Sequence, residues 1–366
     1  MTIPITARKL LGIGLSVGVL AFSTACGSTD AGAVQGATPT SGTLTVATYP
    51  GAVETALKAA AKRFEAGTGI KVSVRSDSNY VSQSQVAVDH GNHPPVDMTI
   101  PDGGMVGDLI AGKYLAKIDY SVFDQENLAK LRDEDRTEYS VTTGRLADVL
   151  CYNTDKFPDG KPQPKSWADF FDGKKFPGTR GMRSWDNTPA PEFGLLADGV
   201  PTSKIYPLDP VAAVRKLSTV DIAYTPDPAA VLQSLVNGNF VMSPCLYHRV
   251  RKMAQDGAPV AFGIDQARLN SSMFVVWDKA VNKDAAMKFI AFLTTPKEQV
   301  AYYETSYVLP VNPAALELLK PEEIALFPTV EENDAFYRDD AWYAADSGKG
   351  GTNYDAIVTA FQEGLK

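Results

Sequence analysis

The hydrophobic pattern divides the chain into three stretches. Leu10 to Phe22 is an apolar run broken only by glycines and Ser16. Residues 27–42 (GSTDAGAVQGATPTSG) carry no aromatic residue and no periodicity, which is the composition of a flexible tether. From Thr43 onward short β-rich runs alternate with helical spacing. Thr43–Thr48 predicts a strand, Val53–Ala66 a helix closing at Gly67 and Gly69, and Ile70–Arg75 a second strand. Val96–Ile100 predicts a third strand and Gly103–Gly112 a helix. Further along, strands are expected at Gly178–Ser184, Ile222–Tyr224, Phe240–Leu246, Val260–Ile264 and Met273–Trp277. Helices are expected at Asp209–Ser218, Asp227–Val236, Lys283–Leu293, Pro296–Thr305 and Tyr354–Leu365. Strand–helix alternation of this kind predicts βα units and a mostly parallel sheet, an α/β fold.

At 366 residues the chain exceeds what one hydrophobic core usually supports, so two domains are expected. No Gly/Pro/Ser-rich linker separates two halves after residue 42, which points to domains joined by crossing strands. With 35 Lys+Arg against 43 Asp+Glu the net charge is −8. That balance argues against a nucleic-acid partner, which would require a basic face.

Arg8 and Lys9 precede the apolar run, and Ser23-Thr24-Ala25-Cys26 follows it. The run is short for a membrane span and has the form of a secretory signal peptide. Small residues directly before a cysteine resemble the lipobox of bacterial lipoproteins. The resemblance implies cleavage before Cys26 and a lipid on its sulfur, with residues 1–25 as signal peptide and 26–42 as lipidated cysteine and tether. Two cysteines then remain, Cys151 and Cys245. An exported location admits a disulfide between them; two buried free thiols are the alternative.

Several stretches share their order with one family. They are Tyr152-Asn153-Thr154-Asp155-Lys156-Phe157 with Ser166-Trp167-Ala168-Asp169, Leu196-Ala197-Asp198-Gly199-Val200 with Ile205-Tyr206-Pro207-Leu208-Asp209, Asp256-Gly257-Ala258-Pro259-Val260, Asn282-Lys283-Asp284-Ala285-Ala286-Met287-Lys288-Phe289, and Pro310-Val311-Asn312-Pro313. From about Thr43 to about Leu319 the chain resembles the extracytoplasmic solute-binding lipoproteins of bacterial ABC importers, nearest to the spermidine/putrescine-binding type. The resemblance implies a two-lobed periplasmic-binding-protein-like fold of type II, with two crossing hinge strands. Lobe one would comprise 43–150 plus 274–366 and lobe two 151–273. It further implies capture of a small polar organic solute, polyamine-like or amino-acid-like, in an interlobe cleft and delivery to an ABC permease. No enzymatic activity and no cofactor are implied. The protein is expected to be extracytoplasmic, lipid-anchored to the cell membrane, and a monomer. The alternative is an exported lipoprotein hydrolase with an interlobe active site.

Ligands of open α/β sheets bind beyond the C-terminal ends of the strands. That rule selects Tyr49, Asp77, Ser78, Tyr80 and Asp102 in the first lobe. In the second it selects Trp185, Asp186, Tyr224, Tyr247, Arg249 and Asp265, and Ser272 lies where the chain enters the second crossover. Aromatics and carboxylates together suit an organic cation, through cation–π attraction and charge-assisted hydrogen bonds. The same residues also cap helices and pack cores. Polyamine-type members carry a Trp-x-Asp where this chain has Asn270-Ser271-Ser272, and a Trp where it has Leu246-Tyr247-His248-Arg249. An acid is missing and an arginine gained, which favours a zwitterion or organic acid over a polyamine.

Two other motifs mislead. Gly14-Leu15-Ser16-Val17-Gly18 fits a nucleophile elbow but lies in the signal's apolar core. Gly107 to Lys113 starts like a P-loop, but Tyr114 stands where a Ser or Thr would hold Mg²⁺. His90 and His93 flank a Gly91/Pro94 turn with no further ligand at a defined spacing, so no metal site is expected.

Overall fold

The structure, a computed structural model, describes residues 42–77, 79–101, 105–183, 191–225 and 227–364. The expected signal peptide, Cys26 and nearly all of the tether lie outside the described residues, as do Ser78, Asp102, Trp185 and Asp186.

Among the described residues nine strands form one hydrogen-bonded sheet. They are β1 (Thr43–Thr48), β2 (Lys71–Ser76), β3 (Met98–Thr99), β4 (Val141–Asn153), β5 (Arg180–Arg183), β6 (Ile222–Thr225), β7 (Met242–Leu246), β8 (Val260–Val276) and β9 (Phe336–Tyr337). Their order is β2-β1-β3-β8-β4-β7-β5-β6, with β9 on β8. The outer strands are parallel, β2-β1-β3 on one side and β7-β5-β6 on the other. The long β4 and β8 run antiparallel between them.

The burial pattern shows why these are two lobes. Leu44, Leu57, Phe64, Met98, Phe274, Val276 and Phe289 share one core, which also takes Val141 at the start of β4 and Val275 near the end of β8. Leu150 and Tyr152, farther along β4, belong to a second core with Trp167, Met182, Phe193 and Val214. Val149 and Cys151 point the other way into a third, with Leu235, Cys245, Tyr247 and Tyr303. Alternate residues of a strand face opposite sides, so the second-lobe sheet is covered on both faces. β4 leaves the first core and enters the second lobe; β8 returns from it. These are the two crossing strands.

Helix Ala52–Thr68 shows how local sequence builds the first lobe. Ala56, Leu57, Ala60, Ala61 and Phe64 are buried on one stripe. Gly69 ends the helix in the left-handed region at φ 75°, where its N–H caps the Glu65 carbonyl. The helix expected at Gly103–Gly112 is described as Val106–Ala111.

Two expectations are corrected. Val260–Ile264 and Met273–Trp277 are not separate strands but the two ends of β8, 17 residues long. Its middle, Asp265 to Ser272, lacks the apolar alternation that marks a strand, because buried polar partners replace apolar ones there. Nor does all of 274–366 pack on the first lobe: Phe336, Tyr343, Ile357 and Phe361 are buried in the second core beside Phe193 and Val214. Helix Asn353–Gly364 is amphipathic, but an apolar stripe does not say which core it covers.

Cys151 on β4 and Cys245 on β7 are joined by a disulfide, with Cα atoms 6.0 Å apart. The register sets Val149 opposite Cys245 and Cys151 opposite Ser243, so the bridge runs diagonally between adjacent strands.

Candidate functional site

Of the second-lobe candidates, Tyr224, Tyr247 and Arg249 lie at or just after the C-terminal ends of β6 and β7. Arg183 ends β5 opposite Thr225 on β6, and Leu246 ends β7 opposite Asp148 on β4. Helix Tyr247–Gln255 starts at once after β7, with no side chain capping its first turn. Arg249 lies in that turn, half-buried. It makes no hydrogen bond or close ion pair with any described residue. Burial lowers its pKa, the like charge of Arg183 lowers it further, and Asp227 opposes both. Asp227 itself caps helix Pro228–Val236, accepting from the Ala229 N–H at 2.8 Å. A guanidinium in the first turn of a helix is chemically suited to a carboxylate.

His248, beside Arg249, is only 6% exposed, and its Nδ1 meets no partner. Burial, and to a lesser degree the Arg249 charge, lower its pKa to about 3. The folded protein thus holds the imidazole neutral where the unfolded chain, at an ordinary value of 6.5, takes up a proton. Stability is expected to fall as pH drops from 6.5 toward 3, by up to about 1.4 kcal/mol per pH unit from this group alone. Urea unfolding of wild type and His248→Leu across pH 4–7 checks this. The variant is expected to show the shallower slope; equal slopes would remove His248 as the cause.

Tyr247 does not join the site. Its ring packs edge-on to Phe262 at 5.5 Å inside the third core, and burial pushes its hydroxyl up to about 12. Tyr224 also packs, edge-on to Phe361 at 5.2 Å, and its buried hydroxyl has no described partner. Asp265 lies inside β8 rather than at a strand end, exposed, with its Oδ1 accepting from Asn333 Nδ2 at 3.3 Å.

In the first lobe, Tyr49 and Tyr80 meet edge-on at 5.9 Å. Tyr80 is buried and its hydroxyl donates to the Ile100 carbonyl. Asp77 accepts from the Asn79 N–H at 2.8 Å and from Gln83 Nε2 at 3.2 Å, which is turn-making. Of the histidines read as a turn, His90 Nδ1 faces the Val86 carbonyl and His93 Nδ1 the Lys279 carbonyl.

On the second-lobe stretch of β4 and β8 lies a charged network that strand-end reasoning misses. Arg268 on β8 donates to Asp148 Oδ2 through Nε at 3.2 Å and a terminal nitrogen at 2.9 Å. Its other terminal nitrogen reaches Glu192 Oε2 at 3.0 Å. The hydroxyls of Tyr206 and Tyr343 both donate to Glu192 Oε1 at 2.7 Å. Glu192 is 0% exposed. Burial works to raise its pKa, but Arg268 and the two hydroxyls hold it below the usual glutamate value. Asn270 Nδ2 donates to Asp148 Oδ2 at 2.8 Å. Ser272, two residues on and buried, shares the face of Arg268 and Asn270. The sequence does hold one clue: Asp148 interrupts the apolar positions of β4, and a charge in a buried strand requires a partner.

With this geometry in hand, known proteins provide a comparison. The family model described as bacterial extracellular solute-binding protein matches residues 59–331. A gamma-aminobutyric acid-binding protein of Pseudomonas aeruginosa is 27% identical over 306 residues, covering 79% of this chain and 83% of its own. An ABC transporter substrate-binding protein from Bradyrhizobium japonicum superposes with a TM-score of 0.78 at 28% identity, over 88% of this chain and 99% of its own. A structure described as the Atu4243-GABA receptor gives a TM-score of 0.73 at 28% identity, over 88% and 96%.

Proposed function

We propose, for a chain that belongs to the bacterial extracellular solute-binding protein family, that its solute is a small amino-acid-like molecule whose carboxylate is held by Arg249. The observation that carries this reading is the half-buried guanidinium with no ion-pair partner among the described residues, set beside Arg183 at the strand ends of the second lobe. Leaving such a charge unpaired is costly, and a bound carboxylate would satisfy it with charge-assisted hydrogen bonds. Two of the relatives carry gamma-aminobutyrate (GABA) in their descriptions, a molecule with one carboxylate and one ammonium. A diamine would instead bring two positive charges toward Arg183 and Arg249. Closure of the lobes around the solute would exclude water and strengthen these contacts.

The closed form would dock on an ABC permease, with the chain acting as a monomer. The residues around Cys26 support attachment by a lipid, which would keep the receptor near that permease and raise its effective concentration there. No described helix is long and apolar enough to cross a membrane.

Calorimetry with GABA and putrescine tests the ligand class. Binding of GABA at least about tenfold tighter than putrescine is expected. The reverse order would discard the carboxylate reading in favour of a diamine.

A further inference from the structure

We infer that Asp148 and Asn270, on the two crossing strands, form a subsite for a primary ammonium group of the solute. This rests on the reading above that the solute is amino-acid-like, and it adds the second end of the molecule.

Three observations lead there. The first is an orphaned acceptor. Asn270 Nδ2 is committed to Asp148 Oδ2, which fixes the orientation of the amide. Its Oδ1 is then buried with no hydrogen-bond partner. Buried carbonyl oxygens are seldom left so, and a donor is missing. The second is the carboxylate itself. Asp148 Oδ2 accepts from Arg268 twice and from Asn270 once, whereas no described donor reaches Oδ1. The third is charge. Among the described residues, Asp148, 8% exposed, and Glu192, 0% exposed, both pair with one cation, Arg268, itself 5% exposed. The nearby Arg338 is paired with Asp340 at 3.3 Å. The triad therefore keeps one negative charge uncompensated, in surroundings where an uncompensated charge is costly.

The missing partner is thus a donor with a positive charge, and a primary ammonium has three N–H bonds to give. Placement agrees. Register pairs Asp148 with Arg268 and Leu146 with Asn270, so Asp148 and Asn270 lie on one face. Asp148 is also paired with Leu246, three residues before Arg249. Asp148 thus stands opposite the last residue of β7, directly after which the helix that carries Arg249 begins.

Calorimetry with two probes tests this. GABA carries both end groups, and butyrate carries the carboxylate alone. Asp148→Asn is expected to weaken GABA by roughly tenfold or more, and Asn270→Ala by about fivefold, with butyrate changed less than about twofold in each. Asn270→Ala leaves every charge in place, so it stands as the second variant should Asp148→Asn unfold. GABA and butyrate weakened by equal factors, or neither weakened, would overturn the inference alone. Wild-type protein that binds neither probe would overturn the carboxylate reading, and the inference with it.

Discussion

Arg249→Gln is expected to weaken GABA binding by at least about a hundredfold while moving the melting temperature little. The two effects separate because Arg249 has no ion-pair partner within the described protein. Removing it leaves no buried carboxylate stranded, which is the usual reason that losing a buried charge destabilises a fold. It also removes the repulsion between Arg249 and Arg183, so an unchanged or slightly raised melting temperature is expected. Arg249→Lys keeps the charge but loses the planar fork, and should fall between wild type and the glutamine variant. Calorimetry paired with thermal unfolding checks both halves. If Arg249→Gln binds GABA like wild type, Arg249 holds no carboxylate.

Glu192→Ala should show the opposite signature, a loss of stability of about 3–5 kcal/mol. Arg268 would keep Asp148, but two buried tyrosine hydroxyls would lose their acceptor. Tyr206 lies on the second lobe's own chain segment, whereas Tyr343 belongs to the C-terminal segment packed against it. The variant thus loosens a tie between distant parts of the sequence. The pH dependence has a definite sign. The folded protein holds Glu192 below the ordinary value of 4.5, so its contribution is complete above 4.5 and is lost as pH falls through the folded value. Denaturant unfolding at pH 7 and pH 4 should show the gap between wild type and variant narrowing at the lower pH. A gap of under about 1 kcal/mol at pH 7 would mean that Glu192 contributes no more than an exposed pair.

Different residues were legible for different reasons. Strand β1 and helix Ala52–Thr68 announce themselves through local periodicity, and the missing linker anticipated the crossing strands. Arg249 was visible as a charge at a strand end. Asp148, Glu192 and Arg268 form their cluster only through folding, since Arg268 is 120 residues from Asp148 and 76 from Glu192. Nothing in the spacing of such residues marks them as partners. Asp265 misled for the converse reason. A polar stretch reads as a loop, yet a long strand tolerates it when another strand supplies ion pairs. Tyr247 was placed at the correct strand end, but the residue opening the next helix turns into the third core while Arg249 does not.

The most direct test of the central claim is native mass spectrometry of the purified protein carrying whatever solute it retains from the cell, followed by identification of the released compound. The account predicts a single small molecule with both a carboxylate and an amine, bound one per chain and absent from Arg249→Gln. A diamine or polyamine with no carboxylate would contradict it.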